Sequence, residues 1–139
     1  TGNNNVILGG SCMTATDITA RAVAIGAGAM AYENPSGGDG ITYNVGVGYQ
    51  AGFYNVTGAE NTYIGYGAGA GASGQSNSEN TGIGRNALNA ITSGDYNVAV
   101  GYDSLTSLTT GEYNVASGYE TLSTTTAGRA NVAVGYQSL

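Results

Sequence analysis

The segment Asn97-Val-Ala-Val-Gly-Tyr-Asp-Ser-Leu105 returns as Asn114-Val-Ala-Ser-Gly-Tyr-Glu-Thr-Leu122 and again as Asn131-Val-Ala-Val-Gly-Tyr-Gln-Ser-Leu139. Weaker copies begin at residues 5, 22, 44, 61 and 80, so the chain of 139 residues holds eight copies of one nine-residue motif. Five of the seven intervals between copies are 17 residues long, and the other two are longer. A fixed period is the sequence signature of a repeat architecture. We therefore interpret residues 1–139 as a single repeat array, and expect it to be a fragment of a longer chain.

The motif, numbered here from position one at its asparagine, has the pattern of a short strand followed by a bend. Positions two and four are mostly β-branched and position three is mostly small, which predicts a strand with positions two and four facing the core. Position five is Gly in every copy, which predicts positive φ or a place too crowded for a Cβ atom. Seventeen residues suffice for one flattened coil of two short strands and two turns. The predicted fold is all-β, a parallel β-solenoid or β-roll of eight coils of about 17 residues, stacked about 4.8 Å apart.

Stacked coils place equal motif positions above one another, which predicts two structural columns. Their members are Asn44, Asn61, Asn80, Asn97, Asn114 and Asn131 at position one, and Gly48, Gly65, Gly84, Gly101, Gly118 and Gly135 at position five. The asparagine amides can hydrogen-bond along the stack. Alternatively, each asparagine can cap a turn of its own coil. Both interpretations stay open at this point, and both are structural.

The core predicted for one chain is thin. A coil of this length offers about four inward apolar side chains, whose burial weighs little against an ordering entropy of about 1.5 kcal/mol per residue. A small residue at position three would also let another backbone approach closely, although Ile7 and Tyr63 break that pattern. We therefore expect a side-by-side homotrimer.

Composition excludes several classes of function. The net charge is −6 and the only basic residues are three arginines, so nucleic acid is not an expected partner. No apolar run approaches 20 residues, so membrane insertion is not expected. Histidine and lysine are absent, which removes the commonest agents of acid–base and Schiff-base catalysis. We predict a protein that is not an enzyme and needs no cofactor.

Two families share the motif. The copy Ala22-Val-Ala-Ile-Gly-Ala-Gly-Ala-Met30 resembles the head repeats of trimeric autotransporter adhesins. The copies at 97–105, 114–122 and 131–139, with Thr109-Thr110-Gly111 in a connector, resemble more closely the repeats of phage tail-fibre and related virion proteins. The closer resemblance implies a structural fibre segment in a virion or at an extracellular or cell surface. It also implies a homotrimer with other fibre or virion proteins as partners, supporting attachment to a host-surface glycan. The alternative is an adhesin head segment that binds host matrix or cells.

Candidate receptor contacts lie outside the regular motif. Insertions in solenoids emerge from one face, which is often the binding face, and the connectors 31–43 and 70–79 exceed the usual eight residues. The candidate glycan-binding residues are Tyr32, Glu33, Asn34 and Asp39 in the first connector, with Tyr43, Tyr96 and Tyr113 before motif asparagines on an expected solvent-facing edge. The tyrosines at position six, of which Tyr49 is the first, either stack on each other or offer their faces to sugar rings.

Acidic residues recur at equal positions of neighbouring coils. Asp95 aligns with Glu112, and Asp103 aligns with Glu120. Calcium could bridge such pairs, but Arg129 follows in the first column and can compensate it, so no metal site is predicted. An ice-binding solenoid would need a regular threonine face, which the sequence lacks. A polysaccharide-cleaving enzyme would need a carboxylate pair across a cleft.

Overall fold

The computed structural model describes residues 4–14, 21–34 and 41–139, and these ranges are all-β. The strands, each of three residues, are β1 (Val6–Leu8), β2 (Val23–Ile25), β3 (Val45–Val47), β4 (Thr62–Ile64), β5 (Thr81–Ile83), β6 (Val98–Val100), β7 (Val115–Ser117) and β8 (Val132–Val134). They form one eight-stranded parallel sheet in sequence order. The predicted parallel β-solenoid is confirmed.

The register of the sheet follows the motif. Strand β6 pairs with β7 through Val98 opposite Val115 and Ala99 opposite Ala116, so equal motif positions lie side by side. The pairing of β2 with β3 and of β4 with β5 keeps this register, although the coils that begin at residues 22 and 61 are longer than 17 residues. Their extra residues therefore lie in the connectors.

Each described coil contains one strand, and the expectation of two strands per coil is wrong. The other sides of the coil are turns whose backbone groups bond to the next coil, such as Leu105 N to the Thr121 carbonyl at 2.9 Å and Ala90 N to the Thr106 carbonyl at 3.0 Å. Left-handed residues recur there, with φ of 52° at Asp103 and 50° at Leu105. Alternating left-handed residues interrupt extended backbone, so the coil turns where a second strand was expected.

The strands face the opposite way from the prediction. Position three is buried, as at Ala99 and Ala116, whereas Val98 at position two and Val100 at position four are 36% and 37% exposed. In the last strand, where Val132 occupies position two, that exposure reaches 68%. The prediction that positions two and four face the core is therefore wrong.

The reason is that the interior of the coil is narrow. A Cβ atom built on Gly46 would lie 3.1 Å from the Ala51 carbonyl oxygen, and one on Gly82 would lie 3.2 Å from the Ala87 carbonyl oxygen. In these two coils position three therefore has little room beyond Gly, because it faces the opposite wall of its own coil. The small third position serves the core of one chain, and the expectation that it admits another backbone is wrong.

The core is filled from the turns. Its large apolar side chains other than Tyr63 are Met13, Met30, Leu88, Ile91, Leu105, Leu108 and Leu122. Five of these occupy position nine and two lie three residues further along, on the side opposite the strand. The sheet thus contributes small inward residues, while the opposite turns contribute the volume.

The asparagine column unites both sequence-based interpretations. The Asn97 Oδ1 atom accepts hydrogen bonds from the backbone N and the Nδ2 of Asn114, both at 3.0 Å. The same two contacts join Asn80 to Asn97 and Asn114 to Asn131. The Asn97 Nδ2 also donates to the Gly111 carbonyl in its own coil at 2.8 Å. Each inner asparagine therefore links its own coil to both neighbouring coils and also holds a connector turn.

The glycine column marks the closest approach of the coils. Gly48 has φ of 133°, a conformation that other residues rarely adopt. A Cβ atom on Gly48 would lie 2.5 Å from the Gly65 carbonyl oxygen, and one on Gly26 would lie 2.6 Å from the Gly48 oxygen. Both sequence-based reasons for glycine at position five therefore apply.

Candidate functional site

A column of aromatic rings runs along the outside of the solenoid at position six. The rings of Tyr102 and Tyr119 stack with centroids 5.0 Å apart, and those of Tyr49 and Tyr66 with centroids 5.2 Å apart. Between these groups the column contains Arg85, whose guanidinium carbon lies 5.6 Å from the Tyr66 centroid and 5.4 Å from the Tyr102 centroid. Inside the column the ring faces are thus covered by neighbours, and mainly ring edges reach solvent.

The tyrosines before the motif asparagines lie at the surface, as the sequence suggested. Tyr96 and Tyr113 stack with centroids 4.9 Å apart at 3°, and Arg129 lies over Tyr113 at 5.6 Å. Tyr43 lies beneath Arg21, 5.9 Å from its guanidinium carbon. A hydrogen bond to Glu79 and the charge of that carboxylate raise the pKa of Tyr96. These rings are also largely covered on at least one face.

The first long connector begins with an aromatic cluster. Tyr32 is 50% exposed, stacks on Tyr54 at 5.2 Å and meets the edge of Phe53 at 5.2 Å. Asn34 is half-buried. The predicted candidate Asp39 lies outside the described residues.

Glu33 departs from the sequence-based expectation because it is fully buried. It occupies the coil position that Ile91 takes later in the chain, and that position faces the core. Its Oε1 atom accepts hydrogen bonds from Thr42 Oγ1 and, at 3.0 Å, from Asn44 Nδ2. Its Oε2 atom has no hydrogen-bond partner among the described residues. Burial raises the pKa of the Glu33 carboxyl, and a receptor cannot reach it directly.

Two open clefts adjoin the aromatic cluster. The larger, of about 420 Å³, is lined by Tyr32, Tyr49, Gln50 and Phe53 together with small residues of the first two coils. The smaller, of about 300 Å³, is lined by Thr14, Ala31, Tyr32, Asn34 and Val56. Thr14, Ala31 and Tyr32 line both clefts. The structure therefore brings Tyr32 and Asn34 to one surface with Tyr49, for which sugar stacking was one of two sequence-based alternatives. It also adds Gln50 and Phe53, which the sequence did not single out.

The second long connector contributes mainly to the core. Residues 72–74 are exposed, but Gln75 and Asn77 turn inward and are buried. The Asn77 Oδ1 atom accepts a hydrogen bond from the Tyr63 hydroxyl at 2.5 Å. This insertion thus ends in core contacts as well as forming a short exposed turn.

The acidic columns are compensated by neighbours. Glu112 pairs with Arg129 at 2.6 Å, as the alignment suggested. Asp103 accepts a hydrogen bond from Asn86 at 2.9 Å, and Glu120 accepts one from Gln137 at 2.8 Å. Among residues 4–14, 21–34 and 41–139, no three acidic, cysteine or histidine side chains converge in a metal-binding group.

No protein-family model matches this chain, and neither a curated protein nor a solved structure matches it significantly. Within the described part of the chain there is no helix with the length and apolar character needed to cross a membrane.

Proposed function

We propose that this chain is a structural segment of an extracellular fibre, of the phage tail-fibre type that its motif resembles. In this proposal it has no enzymatic activity and no cofactor. It assembles as a parallel homotrimer with other fibre or virion proteins and supports attachment to host-surface glycans. The observation that carries the proposal is the outward face of the sheet.

That face is a continuous apolar stripe. Positions two and four of every strand point away from the core, and eight strands at the usual sheet spacing span about 38 Å. Most of these positions are valine or isoleucine, among them Ile64, Ile83 and Val115, which are 37–38% exposed. Contiguous apolar surface of this extent is typical of a protein–protein interface. A second copy of the chain has an apolar stripe with the same spacing between strands, so the two stripes can pack strand against strand.

The core supports the same conclusion. Wherever position three is buried, it contributes only Gly, Ala or the exceptional Tyr63, so each coil buries few large apolar groups. Covering the valines and isoleucines of the stripe would add the missing burial at about 25 cal/mol per Å². The number three comes from the resemblance, while the interface comes from the exposed stripe.

The test is the solution mass of the chain by light scattering, beside an unheated SDS gel. We expect a mass of three chains. Val115→Lys should reduce it to one chain, because a lysine there would be buried without a partner. Thr124→Lys introduces the same charge at an exposed connector residue and should leave the trimer intact. A single-chain mass for the unaltered protein would overturn the trimer, and a trimer insensitive to Val115→Lys would overturn the assignment of its interface.

A further inference from the structure

The tyrosine column begins at the third coil, beside the first two coils of the solenoid. Tyr49 is the first ring of the column, since position six is Gly10 in the first coil and Ala27 in the second. One side of Tyr49 stacks on Tyr66, towards later coils. On the side of the earlier coils, Tyr49 lines the cleft of about 420 Å³. Tyr49 therefore has a ring face beside open space, whereas Tyr66, Tyr102 and Tyr119 each have a neighbour against both ring faces.

The remaining lining of this cleft suits a saccharide. Phe53 and Tyr32 form a second aromatic wall, held by their edge contact at 5.2 Å. Gln50, Ser11 and Thr14 supply amide and hydroxyl groups at the rim. A few polar groups placed among apolar and aromatic side chains are typical of small-molecule sites.

The charges favour a neutral ligand. Every described residue that lines the two clefts is uncharged, and the chain as a whole has a net charge of −6. An anionic sugar would thus meet no compensating cation among the described lining residues and would be repelled by the overall negative charge. A neutral pyranose needs no cation and is not repelled. Its apolar face can stack on an aromatic ring while its hydroxyls reach amides and water.

We propose that the cleft between Tyr49 and the first two coils binds a neutral hexopyranose stacked on the free face of Tyr49. The smaller cleft takes an adjoining sugar residue, with Tyr32 between the two subsites and Asn34 at the second. The ligand class is therefore a neutral oligosaccharide of at least two residues. This inference rests on the proposed role in glycan attachment and locates that role in the fold.

The test uses the full 139-residue chain with methyl β-galactopyranoside, methyl β-glucopyranoside and lactose, followed by saturation-transfer NMR and titration. We expect binding with a dissociation constant in the millimolar range for at least one monosaccharide, and tighter binding of the disaccharide. Tyr49→Ala should weaken binding roughly tenfold, the worth of one aromatic contact. Ala27→Tyr should abolish it, because a ring at position six would continue the column and fill the cleft.

The matched control is Tyr119→Ala, which removes a ring from the interior of the same column. It should leave the affinity unchanged, because its faces lie against Tyr102 and Tyr136. Absence of transfer to all three sugars, or equal losses in Tyr49→Ala and Tyr119→Ala, would overturn the cleft assignment. The oligomeric mass, measured on the same samples, separates the two proposals. A trimer that binds no sugar would support the fibre proposal and overturn the sugar site. A monomer that binds sugar would support the sugar site and overturn the trimer.

Discussion

The ring of Tyr63 lies against Gly69 in the space that a leucine side chain fills in later coils. A Cβ atom on Gly69 would overlap this ring, and one on Gly52 would lie 3.2 Å from its Cδ2 atom. Later coils combine a small residue at position three with leucine at position nine, as in Ala99 and Leu105. The coil with Tyr63 and Gly69 thus places its large residue at position three and its small residue at position nine, and fills the same volume from the opposite wall.

This exchange of volume predicts a compensating pair of mutations. Tyr63→Ala alone should cost about 3–5 kcal/mol through the cavity it leaves. Gly69→Leu alone should also destabilise, because the new side chain overlaps Tyr63. The double variant should recover much of the loss, since φ is 56° at Gly69 and 50° at Leu105, so leucine adopts this backbone. Urea unfolding of the four proteins gives the coupling energy, and strictly additive losses would refute the exchange.

The glycine column predicts a difference between two chemically identical substitutions. Gly101 and Gly135 have nearly equal φ, 131° and 128°, so alanine meets the same backbone strain at both. A Cβ atom on Gly101 would overlap the Gly118 carbonyl oxygen, whereas nothing lies within 4 Å of one on Gly135. Gly101→Ala should therefore be the more destabilising by about 1–3 kcal/mol. Thermal and urea unfolding measure this difference, and equal losses would show that strain alone requires the glycine.

The asparagine column predicts a cost that depends on position. Asn97→Ala leaves the amides of Asn114 without their acceptor and the Gly111 carbonyl without its donor. Unsatisfied buried groups cost about 1–3 kcal/mol each, so a loss on the order of 3 kcal/mol is expected. Asn131→Ala removes only the Nδ2 contact to Asn114 at a half-buried site, because the backbone N–H of residue 131 still donates to Asn114, and it should cost about 1 kcal/mol. Similar losses for the two variants in urea unfolding would contradict an axial column.

Glu33 predicts an unusual dependence of stability on pH. Burial raises the pKa of its carboxyl in the folded state above the ordinary glutamate value of 4.5. The folded state therefore holds this proton more tightly than the unfolded chain. The resulting stability is fully present below pH 4.5 and is lost as the pH rises through the folded-state pKa. The measurement is the free energy of unfolding in urea between pH 4 and pH 8.

Glu33→Gln isolates this contribution, because it cannot ionise. The variant should gain stability relative to the unaltered chain as the pH rises above 4.5. Glu60→Gln makes the same substitution at an exposed site and serves as the matched control. If the free energy of unfolding changed with pH in the same way for the unaltered chain and for Glu33→Gln, Glu33 would not lower the stability when it ionises.

The repeat length, the parallel stacking and both structural columns were predictable from the sequence, because stacked coils must place equal positions together. Which face of each strand points to the core was not predictable. Alternation identifies two faces, and the larger residues were assigned to the core by analogy with ordinary sheets. The signal that could have corrected this is Gly46 and Gly82 at position three with leucines at position nine, since a narrow coil has room for volume on one wall only.

The candidate site was predictable in part. Tyr32 and Asn34 were singled out by the long connector, and they line the clefts. The importance of Tyr49 depends on Gly10 and Ala27 in the same column, because only their small size exposes its ring face. Glu33 was misplaced because composition cannot distinguish a connector residue at the surface from one that faces the core.

The hydrogen bonds of the asparagine column also give the solenoid a direction of growth. Each Oδ1 atom accepts from the backbone and side chain of the coil that follows it in the chain, as Asn80 accepts from Asn97. A finished coil thus presents its acceptor to the coil that the ribosome makes next. Folding can therefore proceed during synthesis by local addition, each coil templated by the one before it, and loop closure never spans more than one repeat.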